Sequence, residues 1–306
     1  MHQVKVACVA PYAAGNATLE DVLRQLVKDQ LLLASSTTEG TAGANIRESE
    51  APIESSGNQL TLVRKASCIS YGLEADGIVT TARRASSSAP SDQVLAVFLK
   101  PSYTLERSHT WDTLGMRGTR SEGFTLRARG VPGNLVSTPY AIIHARSMVP
   151  CAHLFWGAVW AGIAAAAVAR GQEFIRSAAR QSNGRLPPGS AHLTTAVASL
   201  HTLLGLLSRA ANKYELAIDD ASALQSLDFQ TMITLTKVEA SDLAVTTVLQ
   251  AMRACGLAGY RNDSEFSIAR YLRDVLSSPI MINNDRVLAS LGGPALMTPV
   301  PRSILG

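Results

Sequence analysis

The sequence predicts an α+β protein in which a β-rich domain is followed by a helical bundle. Residues 30 to about 136 contain short β-rich apolar runs, separated by clusters of Gly, Ser, Asn and Pro. From about Pro139 onward, apolar residues repeat at helical spacing, as in antiparallel helices packed side by side. These textures predict a short helical segment at 1–29, a β-domain at 30–136 and a helical bundle at 137–306.

Four strands are predicted in the β-domain from short runs rich in β-branched and apolar residues. They are LLLASST (31–37), QLTLVRKA (59–66), QVLAVFLK (93–100) and FTLRARGV (124–131). The segment ASSSAPSD (85–92) has the composition of an exposed hairpin loop.

Three long helices are predicted after the β-domain, with a connection at LPPGS (186–190), since Pro187 and Pro188 cannot lie inside a helix. In the second helix, one apolar stripe should face the core: Leu193, Val197, Leu200, Leu204, Leu207, Ala211 and Tyr214. The third should run from Leu227 to Cys255 and end at Gly256. Its core candidates are Leu235, Val238, Val245, Val248 and Met252.

Composition limits the function classes. The net charge of +4 is spread along the chain without basic runs interleaved with aromatics, so we expect no nucleic-acid binding. The four cysteines are far apart and share no CxxC motif, which indicates reduced thiols, a cytoplasmic location and no metal site. The apolar run 151–169 is rich in Ala and Gly and continues into charged sequence, which favours a buried bundle helix over a membrane span.

Several motifs together resemble those of the acyl-CoA dehydrogenase family. WDTLGMRGTRSEGFTLR (111–127) is similar to that family's Trp-x-x-Leu-Gly-Met-Arg-Gly segment, and TTEGTAGAN (37–45) resembles its flavin loop. CISYG (68–72) lies where the family has Trp-Ile-Thr-Asn-Gly. Matches to the last helices follow in the same order, at TKVEAS (236–241), CGLAGY (255–260) and ARYLRD (269–274).

The resemblance implies an acyl-CoA dehydrogenase-like fold with a β-sandwich or barrel-like middle domain and a C-terminal four-helix bundle. MHQVKVACVA resembles a helix late in the family's N-terminal helical domain, so we expect residues 1–29 to be a remnant of that domain in an N-terminally truncated member. The implied cofactor is FAD.

Six β-domain residues are implied to contact the flavin. Thr37 and Thr38 would offer hydroxyls to the pyrimidine edge, and Gly43, with Ala44 beside it, would allow close backbone approach. Ser70 takes the position of a threonine that contacts the flavin ring, and Cys68 takes that of a tryptophan that covers it. Read without the family, TTEGTAGA is an ordinary glycine-rich turn.

Two bundle glycines, Gly256 and Gly259 of CGLAGY, are implied to touch the dinucleotide of a neighbouring subunit. A plain helix C-cap explains the same residues and is compatible with that role. Arg253 replaces a usual glutamine. The family's Arg-x-Gln-Phe-Gly dinucleotide motif is reduced here to scattered Arg180, Gln181 and Gly184.

The family's catalytic glutamate has no counterpart. Its usual position corresponds to Ile282, and the alternative position lies near Ala152 and His153. His153 is the candidate substitute because imidazole titrates near neutrality, although a histidine satisfied inside a helix bundle is the simpler interpretation. Asp285 is predicted to be a carboxylate at a helix N-terminus.

Three functions follow from the resemblance. The first is α,β-dehydrogenation of an acyl thioester of CoA or a carrier protein, as in fatty acid metabolism, with electron-transfer flavoprotein as a possible partner. The second is a flavin monooxygenase on the same scaffold, and the third is a non-catalytic subunit that pairs with a complete homologue. Each implies a homo-oligomer or a heteromer with a homologous subunit.

Overall fold

The computed structural model describes residues 1–39, 46–298 and 300. The chain divides into two compact units, the first made of 1–113 and 117–152 and the second of 114–116 and 153–306. The three-part division at residues 29/30 and 136/137 stays a prediction.

The first unit contains two β-sheets. One has the order β1-β4-β5, with β1 parallel to β4, and the other has the antiparallel order β2-β3-β7-β6. The strands are β1 (Leu33–Ser36), β2 (Ile53–Ser56), β3 (Gln59–Ile69), β4 (Gly77–Arg83), β5 (Gln93–Leu99), β6 (Tyr103–His109) and β7 (Glu122–Gly130).

The four predicted strands are confirmed as β1, β3, β5 and β7, and the predicted hairpin loop 85–92 joins the antiparallel pair β4 and β5. The sequence prediction missed β2, β4 and β6. Strand β6 is mostly exposed and carries Glu106, Arg107 and His109, so its composition gives little β signal.

Apolar side chains from both sheets form the core of the first unit. Strands β4 and β5 are buried almost throughout, whereas β3 alternates between exposed and buried positions. The largest fully buried apolar side chains of this core include Phe98, Phe124, Leu62, Ile69 and Ile78.

Helices α1 (His2–Val9) and α2 (Ala17–Lys28) precede the strands. After the strands, α3 (Tyr140–Ile143) continues through one π-helical turn, His144–Met148, into α4 (Val149–Gln181). The remaining helices are α5 (Ser190–Ala217), α6 (Ala221–Gln225), α7 (Leu227–Cys255), α8 (Leu257–Tyr260), α9 (Ala269–Val275) and α10 (Asn284–Met297).

The bounds predicted for the third long helix are confirmed by α7. Ser226 caps its first turn by accepting a hydrogen bond from the Phe229 N–H, and Gly256 ends it at a φ of +57°. The connection 186–190 also separates α4 from α5 as predicted.

The stripe predicted for α5 is confirmed in part. Leu193, Val197, Leu200 and Leu207 are half-buried and pack against the core of the second unit, whereas Leu204 and Ala211 are exposed. The fully buried residues of α5 are Ala196, Leu203 and Ala210, seven residues apart. The small alanine side chains allow α5 to approach α7 closely. A stripe chosen from the positions of the leucines does not include such alanines. Leu235 of α7 is likewise exposed, whereas Val238 and Val248 are buried as predicted.

Two helical stretches, Tyr140–Gln181 and Ser190–Ala217, pass a length and composition test for crossing a membrane. Within their most apolar windows, 50% and 17% of the residues are buried. Both stretches contribute to the apolar core of the second unit, where Trp160 and Ala164 of α4 pack with Leu203 of α5 and Val248 of α7.

The segment Leu114–Met116 belongs to the second unit and contacts α9. The Met116 N–H donates to Asp274 Oδ1 at 2.7 Å. A β-carbon at Gly115 would lie 2.0 Å from the Arg273 carbonyl oxygen, so only glycine fits there. Two segments that the sequence analysis singled out, WDTLGMRG and ARYLRD, are therefore in contact.

We predict that Gly115→Ala destabilises the second unit by about 1–3 kcal/mol or more, because the added methyl group meets backbone that cannot move aside. The control is Gly118→Ala, where an added β-carbon meets nothing within 4 Å. Denaturant midpoints of the two variants and the wild type provide the measurement. Equal midpoints for all three would contradict the close packing.

Candidate cofactor site and candidate base

Two of the predicted cofactor residues, Thr38 and Cys68, lie together at the end of β3. The Thr38 hydroxyl accepts a hydrogen bond from the Ser67 hydroxyl at 3.0 Å and lies 3.7 Å from the Cys68 sulfur. The Ser67 N–H donates to the Thr38 carbonyl at 3.4 Å. Thr37 precedes them and is buried. The fold thus forms a small group of hydroxyl and thiol side chains where β1 leads out of its sheet.

A buried ion pair fixes Glu39, the residue that follows Thr38. Glu39 lies 3.4 Å from Arg64 Nη1, and both side chains are almost fully buried. The Glu39 carboxylate also accepts hydrogen bonds from the N–H groups of Glu50 and Ala51 at 2.6 and 3.2 Å, and from the Ser49 hydroxyl at 3.3 Å. This network holds the backbone beside Thr38 in one position.

Ser70 belongs to a second hydroxyl group. Its Oγ lies 2.8 Å from Ser121 Oγ, which lies 2.8 Å from Thr119 Oγ1. The Tyr71 N–H donates to the Thr119 carbonyl at 2.9 Å, which ties the two segments together. Sequence reasoning did not select Thr119 or Ser121, although both lie in the TRSEG part of a motif it had singled out.

Gly43 and Ala44 lie outside the described residues, so their predicted contact with a flavin stays a prediction. Gly256 and Gly259 are described, and local structure accounts for both. Gly256 adopts the left-handed φ that ends α7, and a β-carbon on Gly259 would lie 2.7 Å from that of Cys255. Their predicted contact with a dinucleotide also stays a prediction.

His153 is held inside the second unit. It is 4% exposed, its Nδ1 lies 3.1 Å from the Ile233 carbonyl oxygen, and its ring is near that of Trp156. A carbonyl partner means that Nδ1 carries the proton, so Nε2 is the nitrogen that could accept one. Burial, with a smaller contribution from the charge of Lys237, lowers the pKa of His153 to about 4.

Ile282 has a left-handed backbone with a φ of +48°, which is a genuine outlier for a β-branched residue. A buried lysine holds it there. Lys237 Nζ donates to the carbonyl oxygens of Ile282 and Ser278 at 2.6 and 3.2 Å, and to Asn284 Oδ1 at 2.6 Å. Burial lowers the pKa of this lysine to about 8.

Asp285 lies in the first turn of α10, as predicted, and the Asn283 side chain caps that helix by accepting from the Arg286 N–H at 3.1 Å. In the part of the chain that the structure describes, no group of three or more His, Cys, Asp or Glu side chains could hold a metal ion.

The hydroxyl groups of the first unit have chemistry that fits a flavin. A flavin ring edge alternates hydrogen-bond donors and acceptors, and hydroxyls can serve as either. Thr38 and Ser70 are only partly buried, so each hydroxyl keeps some surface for a hydrogen bond besides the one to its present partner.

Residues 154–278 match a family model described as the C-terminal domain of acyl-CoA dehydrogenase. A comparison with curated protein sequences found no match.

Solved structures give similarities over nearly the whole chain. FMN-bound TdsC from Paenibacillus sp. A11-2 is 18% identical with a TM-score of 0.82, covering 100% of this chain and 80% of TdsC. TdsC has also been solved with FMN and indole. Butyryl-CoA dehydrogenase from Megasphaera elsdenii is 20% identical with a TM-score of 0.72, covering 95% of this chain and 76% of that one. Acyl-CoA dehydrogenase from Geobacillus kaustophilus is 18% identical with a TM-score of 0.71, with coverage of 95% and 76%.

The buried state of His153 predicts a pH dependence of stability. In the unfolded chain the histidine has a pKa near 6.5, and in the folded chain the pKa is about 4. The unfolded state therefore binds more protons between these values. The contribution is fully present above pH 6.5 and is lost as the pH falls towards 4, at up to about 1.4 kcal/mol per pH unit.

This dependence is measured by comparing the wild type with His153→Gln and with the control His201→Gln, which changes an exposed histidine of α5. Unfolding free energies at several pH values should fall less steeply for His153→Gln than for the other two proteins. Parallel curves for all three would show that His153 is not held neutral by the fold.

Proposed function

Because residues 154–278 belong to the acyl-CoA dehydrogenase C-terminal domain family and the chain has the acyl-CoA dehydrogenase fold, we propose that this protein is a flavin-dependent oxidoreductase acting on an acyl thioester. The observation that carries this proposal is the pair of hydroxyl groups around Thr38 and Ser70 in the first unit. Their positions in the sequence are those that the family resemblance assigns to the flavin.

FAD is the flavin we propose, held by Thr37, Thr38, Cys68 and Ser70 of the first unit, while Gly256 and Gly259 would contact the dinucleotide of a neighbouring subunit in the manner of the family. When bound, it would supply the acceptor for a hydride from carbon. TdsC was solved with FMN, so the identity of the flavin is part of the test.

The reaction we propose first is α,β-dehydrogenation of a thioester carried by CoA or a carrier protein. This reaction removes an α-proton, and a positioned base contributes about 10²–10⁴ to such a step. His153 Nε2 is the candidate acceptor of that proton. With a pKa of about 4, however, this imidazole is a weak base at neutral pH.

The low pKa of His153 favours a second candidate, flavin-dependent oxygenation of a substrate that has no α-proton to lose. In that case neither His153 nor Ile282 needs to act as a base. The solved structure of TdsC with FMN and indole supports this candidate, since TdsC has a similar fold.

We further propose that the protein is an oligomer, formed with itself or with a homologous subunit, and that electron-transfer flavoprotein reoxidises it in the dehydrogenase case. Exposed apolar side chains in the second half of α5 and directly after it support association: Leu204, Leu216 and Ile218. Sedimentation of the purified protein tests this.

The flavin is tested by the visible spectrum of the purified protein and by chromatography of the flavin released on denaturation. We expect an oxidised-flavin band and FAD. Thr38→Val should weaken flavin affinity about tenfold, because one hydrogen bond to the ring is lost. Thr61→Val, which changes an exposed threonine of β3, should leave it unchanged. A colourless protein that takes up neither FAD nor FMN would contradict the proposal.

The two reactions are separated by anaerobic addition of butyryl-CoA or octanoyl-CoA to the flavin-loaded protein. Dehydrogenation bleaches the flavin band without oxygen, whereas oxygenation requires a reduced flavin, oxygen and substrate. If residue 282 lies at the base position, Ile282→Glu should accelerate bleaching by about 10²-fold or more relative to Ile282→Gln. Neither replacement is β-branched, so neither adds strain at this left-handed position. Equal rates for the two variants would place the base position elsewhere.

A further inference from the structure

A cavity of about 490 Å³ in the second unit is lined mainly by polar side chains. It lies between α4, α9 and the segment that joins α8 to α9. Three of its lining residues are arginines, Arg170 of α4 and Arg270 and Arg273 of α9, and we call it the arginine cavity. Gly256 and Gly259, the proposed dinucleotide contacts, do not line it. The neutral polar residues of its lining are Asn262, Ser267 and Tyr271.

The elements around the arginine cavity are joined to one another within the second unit. Arg170 Nη1 donates to the Glu265 carbonyl, which connects α4 to the segment before α9. The Arg273 carbonyl oxygen packs so closely on Gly115 that a β-carbon there would lie 2.0 Å away. The three arginines therefore extend from backbone that hydrogen bonding and close packing hold in place.

The lining of the arginine cavity has a positive charge that is not balanced within it, since none of its lining residues is acidic. Two carboxylates approach the arginines from outside the lining. Glu173 Oε2 lies 3.6 Å from Arg170 Nε, and Asp274 Oδ2 lies 3.8 Å from Arg270 Nε. Both distances are longer than a hydrogen bond.

Arg273 differs from the other two arginines, because no carboxylate among the described residues forms an ion pair with it. Arg270 is open to solvent, with 86% of its side chain exposed. A ligand can therefore reach the arginine cavity without a rearrangement of the chain, and the guanidinium groups keep N–H donors for it.

We propose that the arginine cavity binds a phosphate group, either as the free ion or as a phosphate monoester. At neutral pH such a group carries close to two negative charges and three terminal oxygens. Three guanidinium groups match it better than they match a carboxylate, which has one charge and two oxygens. The volume of the cavity lies within the range of roughly 300–1,000 Å³ that is usual for small-molecule sites, so the organic part of an ester also fits.

Calorimetric titrations of the full chain at neutral pH give the first test. The probes are inorganic phosphate, AMP, adenosine and acetate. We expect inorganic phosphate and AMP to bind, and adenosine and acetate not to bind. Tighter binding of AMP than of inorganic phosphate would identify a monoester as the ligand, and the reverse order would identify the free ion. Binding of neither phosphate compound, or equal binding of acetate, would overturn the proposal.

Substitutions locate the binding in the arginine cavity. Arg273→Met should weaken the binding of the tighter phosphate compound about tenfold or more, because hydrogen bonds to a charged group are lost. The control is Arg209→Met, at an exposed arginine of α5 that does not line the cavity. Arg270→Met keeps the proposal testable if Arg273→Met does not fold, since the Arg270 side chain is mostly exposed. Wild-type affinity in both cavity variants would overturn the site.

Crystals of the full chain soaked in tungstate, an anomalous scatterer that replaces phosphate, give a direct view of the site. The expected result is an anomalous peak in contact with the guanidinium groups of Arg170, Arg270 and Arg273. Peaks at other places only would overturn the proposal. Loss of the peak when FAD is added would assign these arginines to the flavin diphosphate, and would equally overturn a separate phosphate site.

Discussion

The candidate cofactor site of the first unit depends on the buried ion pair between Arg64 and Glu39. This pair joins the middle of β3 to the residue that follows the candidate flavin threonines, and both charges are out of water. Removing one partner of such a pair leaves an uncompensated buried charge, which typically costs 3–5 kcal/mol. The positions of Thr38 and of the backbone at Glu50 and Ala51 depend on this pair, because Glu39 accepts hydrogen bonds from the N–H groups of both residues.

Helix ends could be predicted well where the sequence supplies a cap. Ser226 and Gly256 mark both ends of α7, and the helix has the predicted bounds. The face of α5 was harder to predict, since leucines lie on more than one side of it. Beside the half-buried leucines, the structure fully buries Ala196 in the core that α5 shares with α7, because close backbone approach leaves room only for a small side chain. Hydrophobicity alone therefore does not identify the buried face of a helix where that face requires small side chains.

The buried cations were missed although periodicity marks two of them. In β3, Arg64 has the same parity as Leu60, Leu62 and Ala66, so alternation places it on the buried face. In α7, Lys237 follows Ile233 by four residues and shares its buried side. A charged residue within an apolar stripe is easily taken for a break in the pattern. Here each one is a polar anchor inside the core.

The two hydroxyl groups of the candidate site could be predicted only in part. Thr38, Cys68 and Ser70 were found from motifs, but their partners depend on strand register. Pairing between β3 and β7 is irregular between Ala66 and Ile69, so simple alternation cannot be extended from the strand to Ser70. The contact of Ser70 with Ser121 therefore follows from the three-dimensional structure and not from spacing.

The Lys237 contacts fix the backbone conformation of residue 282 independently of the side chain at that position. The lysine holds residue 282 through its carbonyl oxygen, not through its side chain. The left-handed backbone at this position, normally unfavourable for isoleucine, is thus fixed by the surrounding hydrogen bonds whatever side chain is present. A sequence can consequently replace the residue at 282 and retain the scaffold around it. For this reason the fold does not determine the reaction that this protein catalyses. The reaction depends on His153, Ile282 and the hydroxyl groups around Thr38 and Ser70.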